Sequence, residues 1–264
     1  SNIISALKKL EYRGYDSAGL ATIVNGNINE KKCSGRVDNL EKILFQTPSD
    51  GNLGIGHVRW ATHGVPNEVN AHPHSSEVVS VVHNGIIENS DLLRKEYLNK
   101  GYKFKSQTDT EVITIMLTDF LKSNDLINCI HKTLEKLDGS FALGVIFKGN
   151  ENVLIGARRG SPLAVGYGNN ENFLGSDSYA LKSMTNKISY LDDGDFCILY
   201  KEKVEFYNST KKKINKEIFE LSNEDNIADK GDYKDFMSKE IDEQSLTTKK
   251  CINEYIDKAR DEIN

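Results

Sequence analysis

Residues 77–89 read EVVSVVHNGIIEN, and the parsing of this stretch decides the fold. Its density of valine and isoleucine is strongly β-like. Asn84-Gly85 stands between two apolar runs, where Asn-Gly is the commonest short hairpin turn. The competing reading is chemical: the asparagine side chain and a glycine N–H aimed together at a developing negative oxygen. Pattern alone points to the turn.

Working outward, SDLLRKEYLNKG (90–101) is helical and is stopped by Gly101. TDTEVITIMLTDFLK (108–122) begins with a Thr108–Glu111 capping box and carries an apolar helical face, and INCIHKTLEKLDG (127–139) gives a further helix. From Phe141 to about residue 208 short strands follow one another. On the other side, residues 19–37 read as two strands about an Asn25-Gly26 turn, and DNLEKILFQ (38–46) as a helix ended before Pro48. LGIGHVRWATHG (53–64) is a buried strand running out into a loop, and Ile3–Leu10 has helical spacing. Helices clustered between two sets of strands predict α+β layers and not alternating βαβ units. Near the end, Ile252, Ile256, Ala259 and Ile263 make a helical apolar stripe with no sheet left to cover it. Such a helix either folds back on its own domain or leads into another.

Composition narrows the function classes. The 264 residues are 38% hydrophobic and 28% charged, as in soluble globular proteins, with a net charge of −5. No basic stretch makes a phosphate footprint, and Lys211–Lys213 reads as a solvated turn, so no nucleic-acid partner is expected. No apolar run would span a bilayer, no signal peptide is read, and a cytoplasmic protein is expected. Cys33, Cys129, Cys197 and Cys251 form no CxxC pair and read as reduced thiols.

Arg59 lies where a strand gives way to a loop. There it either snorkels to water or grips a carboxylate with two parallel hydrogen bonds. Trp60, the only tryptophan, fits a lid or core packing equally. Asp109 is placed in the first turn of a helix, where a carboxylate is welcome on electrostatic grounds alone. His57, His63, His72, His74 and His83 cluster in sequence, but no cysteine or carboxylate pair completes a zinc set, so no metal is expected. Neither a P-loop nor a GxGxxG is present, and no cofactor is expected.

Taken in order, LEYRGYDSAG, HVRWATHG, NAHPH, HNGIIEN and TDTEV resemble one family. It is the class II glutaminase domain carried by glutamine–fructose-6-phosphate aminotransferases. RRGSPLAVGYG, LGSDSYAL, LDDGD and DFMSKEIDEQ extend the resemblance, which runs from Leu7 to Gln244. It implies the N-terminal nucleophile hydrolase fold, an αββα sandwich of two stacked sheets between helix layers. Asn84 and Gly85 become the oxyanion hole, Arg59 the group holding the glutamine α-carboxylate, and Asp109 with Gly85 the pair holding its α-amino group. Thr62 and His63 belong to a loop that closes over glutamine. Trp60 is associated with gating an ammonia passage, and Arg13 lies next to the nucleophile.

That nucleophile is an N-terminal cysteine whose thiol attacks the side-chain amide of L-glutamine while its own amine serves as base. The ammonia then passes to fructose 6-phosphate in a sugar isomerase domain, giving glucosamine 6-phosphate in an enzyme expected to be a homodimer. Set against the family, this sequence is expected to lack the first strand with its cysteine, and so to be inactive as given; Ser1 precedes a helical segment and is a poor substitute. Residues 1–240 are expected to form the glutaminase domain, and 241–264, with a helix from Ser245 to Asn264, the linker toward the isomerase. The rivals are another class II amidotransferase, such as an amidophosphoribosyltransferase, and a non-catalytic glutamine-binding module.

Overall fold

The computed structural model describes residues 2–221, 232–234, 236–257 and 262–263. The chain forms two units, Ser1–Ser222 and Asn223–Asn264. In the first, helix α1 (Asn2–Leu10) leads through a 3-10 turn at Glu11–Arg13 into strands β1 (Ser17–Val24) and β2 (Asn27–Ser34). Helix α2 (Val37–Gln46) and strands β3 (Leu53–Arg59), β4 (His74–Ser75) and β5 (Val79–Ile87) follow. Three helices come next: α3 (Ser90–Asn99), α4 (Thr110–Phe120) and α5 (Leu126–Lys136). Then come β6 (Gly139–Phe147), β7 (Asn150–Arg159), β8 (Ala164–Tyr167) and β9 (Asn172–Gly175). After the short helix α6 (Ser178–Leu181) lie β10 (Lys187–Tyr190), β11 (Phe196–Leu199), β12 (Val204–Tyr207), β13 (Lys213–Ile214) and β14 (Phe219–Glu220).

Three antiparallel sheets result, ordered β2-β1-β3, β14-β10-β8-β9 and β13-β12-β11-β7-β6-β5-β4. Alternation along the strands assigns each face. Ala18 and Leu20 of β1 pack with Ile4 and Leu7 of α1 and Leu40 of α2, whereas Ala21 and Ile23 pack inward with Ile146 and Leu154 of the seven-stranded sheet. The far face of that sheet buries Val79, Val81 and Phe141 against Val112, Met116 and Ile130 of α4 and α5. The order is therefore helix, sheet, sheet, helix. With apolar groups leaving water on both faces of each sheet, burial at roughly 25 cal/mol per Å² is the main stabilising term.

Most expected elements are present, and three readings need correction. Asn84-Gly85 is no turn: both residues lie inside β5, paired with Ala142 and Phe141 of β6. The Thr108–Glu111 capping box does not form. Asp109 is the N-cap residue, without a side-chain cap bond, and Glu111 turns back to accept from the backbone N–H groups of Lys105 (2.7 Å) and Ser106 (2.6 Å). Helix α4 also has more than one apolar face, since every residue from Thr110 to Leu117 is buried.

The second unit contains helix α7 (Phe236–Tyr255) and two short paired strands, β15 (Ile256–Asp257) and β16 (Glu262–Ile263). The helix thus starts and ends earlier than expected. Ile256 faces Ile263 across a strand pair instead of continuing a helical stripe, and Ala259 lies outside the described residues. Among the described residues no helix is long and apolar enough to cross a membrane.

Candidate active site

Strands β3 and β9 each form the edge of their sheet, and both line a cavity of about 1390 Å³. One part is apolar, lined by Ile3, Leu7, Leu174 and Met184, while Arg59, Thr62, Asn84, Gly85 and Asp109 supply polar groups. Those residues come from the end of β3 and the loop after it, from β5 and from the N-cap of α4, so the fold assembles what the sequence scatters.

Arg59 is where the chain leaves its sheet. Asp16 donates its N–H to the Arg59 carbonyl (3.1 Å), and its carboxylate accepts from the Ala61 N–H (2.9 Å), turning the chain outward. The Arg59 side chain is buried, and its guanidinium donates to the carbonyls of His63, Gly64 (3.4 Å) and Val65 (3.5 Å). Burial works against its charge, while Asp109 and Asp16 sustain it. Snorkelling to water is therefore ruled out. Trp60 is 62% exposed, edge-on to Tyr15 with ring centroids 6.2 Å apart, so core packing is ruled out too. Thr62 lines the cavity, and its hydroxyl lies 3.3 Å from His63 Nδ1; His63 is not among the lining residues. Arg13 closes the 3-10 turn; its side chain is outside what is described.

Asp109 does more than greet a helix. One carboxylate oxygen accepts from the Ile87 N–H at the end of β5 (2.8 Å) and lies 4.0 Å from His83 Nδ1. The loop that presents it is held from two sides. Glu111 takes its N–H groups, and Arg94 donates to the carbonyls of Ser106 (3.2 Å) and Thr108 (2.6 Å). Asn70, from NAHPH, links this loop to the one after Arg59, bonding Gln107 on one side and the Val65 carbonyl (3.0 Å) on the other.

Gly85 explains the dipeptide. Its φ is +126°, and a Cβ built there would lie 2.0 Å from the Ser140 carbonyl oxygen of β6, so only glycine keeps the strand paired. Asn84 beside it lines the cavity, and its Oδ1 is 2.7 Å from His57 Nε2.

The histidines form a hydroxyl-linked set. Thr110 Oγ1 contacts His72 Nε2 (2.7 Å) and His83 Nδ1 (2.9 Å), and Thr108 Oγ1 contacts His74 Nε2 (2.9 Å). Burial pushes His57 and His83 down to about 4 and His74 to about 3, with His72 well below its ordinary value. Such rings are neutral near pH 7. Among the described residues no three His, Cys, Asp or Glu groups converge as metal ligands. Cys33, Cys129 and Cys197 are buried away from the cavity, and Cys251 is in the second unit, so no described thiol lines the site.

Sequence reading missed Asp16, Arg94, Glu111 and His57 as supports. The signal for His57 was there: H-x-R on a strand puts both side chains on one face.

Comparison with known proteins gives this geometry a context. Residues 57–183 match the glutamine amidotransferase domain family. The chain is 47% identical to the isomerizing glutamine–fructose-6-phosphate aminotransferase of Mesorhizobium japonicum over 97% of its own length and 42% of the relative's. The enzyme of the same name from Zymomonas mobilis is 44% identical over 96% of this chain and 42% of its own. The chain thus spans under half the length of these relatives. Among solved structures, the glutamine phosphoribosylpyrophosphate amidotransferase of B. subtilis, complexed with ADP and GMP, superposes with a TM-score of 0.68 at 23% identity. It covers 80% of this chain and 47% of that one, and the regulatory enzyme of purine biosynthesis superposes at 0.67. That likeness bears on fold alone, an αββα sandwich.

Proposed function

We propose, for a chain that carries a glutamine amidotransferase domain, that the polar part of the cavity binds L-glutamine for removal of its side-chain ammonia. The observation behind this is the convergence of Arg59, Asn84-Gly85 and Asp109 from separate elements on one cavity. Arg59 would meet the α-carboxylate, which is a stronger acceptor than the neutral loop carbonyls it now holds. Asp109, with Gly85, would take the α-ammonium. Thr62 and His63 follow Arg59 in the loop tied to it, so a ligand on Arg59 reorganises that loop.

In the reaction, a thiolate adds to the side-chain amide carbon and the carbonyl oxygen takes up the negative charge. Asn84 Nδ2 and the Gly85 N–H would stabilise that oxygen. Collapse expels ammonia, after proton transfer to the leaving nitrogen, and leaves a thioester that water cleaves to glutamate. The thiol comes from outside the described lining residues. Arg13, at the end of the 3-10 turn, would stand next to the nucleophile, as the resemblance implies. Trp60 would gate the departing ammonia, as the resemblance implies.

The larger assignment is a glutaminase half that serves a fructose 6-phosphate aminotransferase. Residues 1–240 form that half, 241–264 link to a sugar isomerase domain, and the assembly is a homodimer. Resemblance across Leu7–Gln244 supports this reading. A module that binds glutamine without cleaving it is the second reading. Titration calorimetry tests the shared premise. Glutamine should bind, and Arg59→Ala should weaken it at least about 30-fold while far-UV circular dichroism is unchanged. Equal affinity in that variant would sink the site assignment, and ammonia release separates the two readings.

A further inference from the structure

Asn84 can serve a developing oxyanion only if its NH2 end, and not its oxygen, faces the cavity. Rotating the carboxamide by half a turn exchanges donor for acceptor with little change in shape. Something must choose. Among the described residues, the only hydrogen bond to the Asn84 side chain is from His57, Oδ1 to Nε2 at 2.7 Å.

We propose that His57 is a positioning residue: by donating Nε2–H to Asn84 Oδ1 it locks the amide with its NH2 toward the cavity. This rests on reading Asn84 as an oxyanion donor. Three observations support the tautomer it needs. Among the described residues His57 Nδ1 is out of contact with water and meets no acceptor at hydrogen-bond geometry, and a buried unpaired N–H costs more than an unpaired lone pair, so the single proton belongs on Nε2. Burial keeps the ring neutral near pH 7, leaving only one proton to place. The ring is also held in position: it packs on His72 with centroids 4.4 Å apart, and His72 is itself bonded to Thr110. The contact also crosses layers, since β3 belongs to the three-stranded sheet and β5 to the seven-stranded one. Strand β3 thus supplies two groups on one face, Arg59 for the substrate and His57 for the group that meets the oxyanion.

Nitrogen NMR of the wild-type chain at pH 7 reads the tautomer directly, with the His57 ring assigned by its loss in His57→Gln. The expected result is a protonated Nε2 and a bare Nδ1; a proton on Nδ1 overturns the proposal. The Asn84 side-chain amide signal should shift in His57→Leu and be restored in His57→Gln, whose amide N–H can replace the ring donor. An Asn84 signal indifferent to His57→Leu also overturns it. Glutamine affinity should stay within about threefold in both variants, because the lock acts on the transition state. In the thiol-bearing enzyme, kcat should fall about 100-fold in His57→Leu with KM unmoved, and recover in His57→Gln; an unchanged kcat counts against the lock. If the wild-type chain does not bind glutamine, the functional reading fails instead, and the NMR result still decides the tautomer.

Discussion

The chain contains the same dipeptide in two settings. Asn25-Gly26 joins β1 to β2 with φ values of +50° and +74°, the geometry of a tight hairpin turn. Asn84-Gly85 lies within a strand, flanked by partners on β6, with Gly85 at +126° and pressed onto the Ser140 carbonyl. In the first, glycine serves the path of the chain. In the second, it lets the backbone pass close to its neighbour while Asn84 projects into the cavity. The meaning of a dipeptide is decided by what lies across from it.

Substitutions at the two glycines sharpen that contrast. Gly85→Ala meets both a disfavoured φ and a carbonyl at 2.0 Å, so it should cost about 4 kcal/mol or more, measured by urea unfolding. A cost below about 1 kcal/mol would erase the distinction between the settings. Next comes Asp109→Asn, which keeps an acceptor for the Ile87 N–H at the end of the same strand but loses the charge. Glutamine affinity should fall about 10- to 100-fold by calorimetry, with the melting temperature held within a few degrees. An equal loss for a glutamine analogue without the α-amine would remove Asp109 from its role. Gly26→Ala, with only the Gly149 Cα at 3.8 Å nearby, should cost about 1 kcal/mol and leave glutamine binding intact.

A probe that leaves the sequence untouched is pH. His57, His74 and His83 titrate near 4 or 3 when folded, against about 6.5 unfolded, and His72 moves in the same direction. The unfolded chain therefore takes up protons that the folded one refuses. Stability should be flat with respect to these groups above about pH 7, begin to fall below about 6.5, and continue falling toward 4. Each histidine contributes at most about 1.4 kcal/mol per pH unit. His74→Gln should remove about one proton from the slope of unfolding free energy against pH; an unchanged slope would mean the ring is not buried neutral.

Periodicity made much of this fold legible. The hairpin at Asn25-Gly26, helices α2, α3 and α5, and the run of strands after Gly139 follow from spacing and turn residues. The resemblance added the layer order. What stayed hidden depends on contacts between distant segments. Glu111 looks like a capping partner until its carboxylate is seen bound to Lys105 and Ser106. Arg59 and Asp109 look like a strand end and a helix start until burial brings them to one cavity. The histidines are scattered along the sequence, and only the fold shows hydroxyls linking them.

The first Asn-Gly turn has one more role. Gly26 accepts from the Gly149 N–H (2.7 Å) and donates to Glu151 (2.8 Å), so the tips of two hairpins from different sheets are sewn together. By strand register this seam lies at the opposite end of β1 from Arg59. A second tie, His57 to Asn84, joins the same two sheets near the Arg59 end. The two plates are thus pinned toward both ends of β1, and its amide hydrogens should exchange slowly along the whole strand.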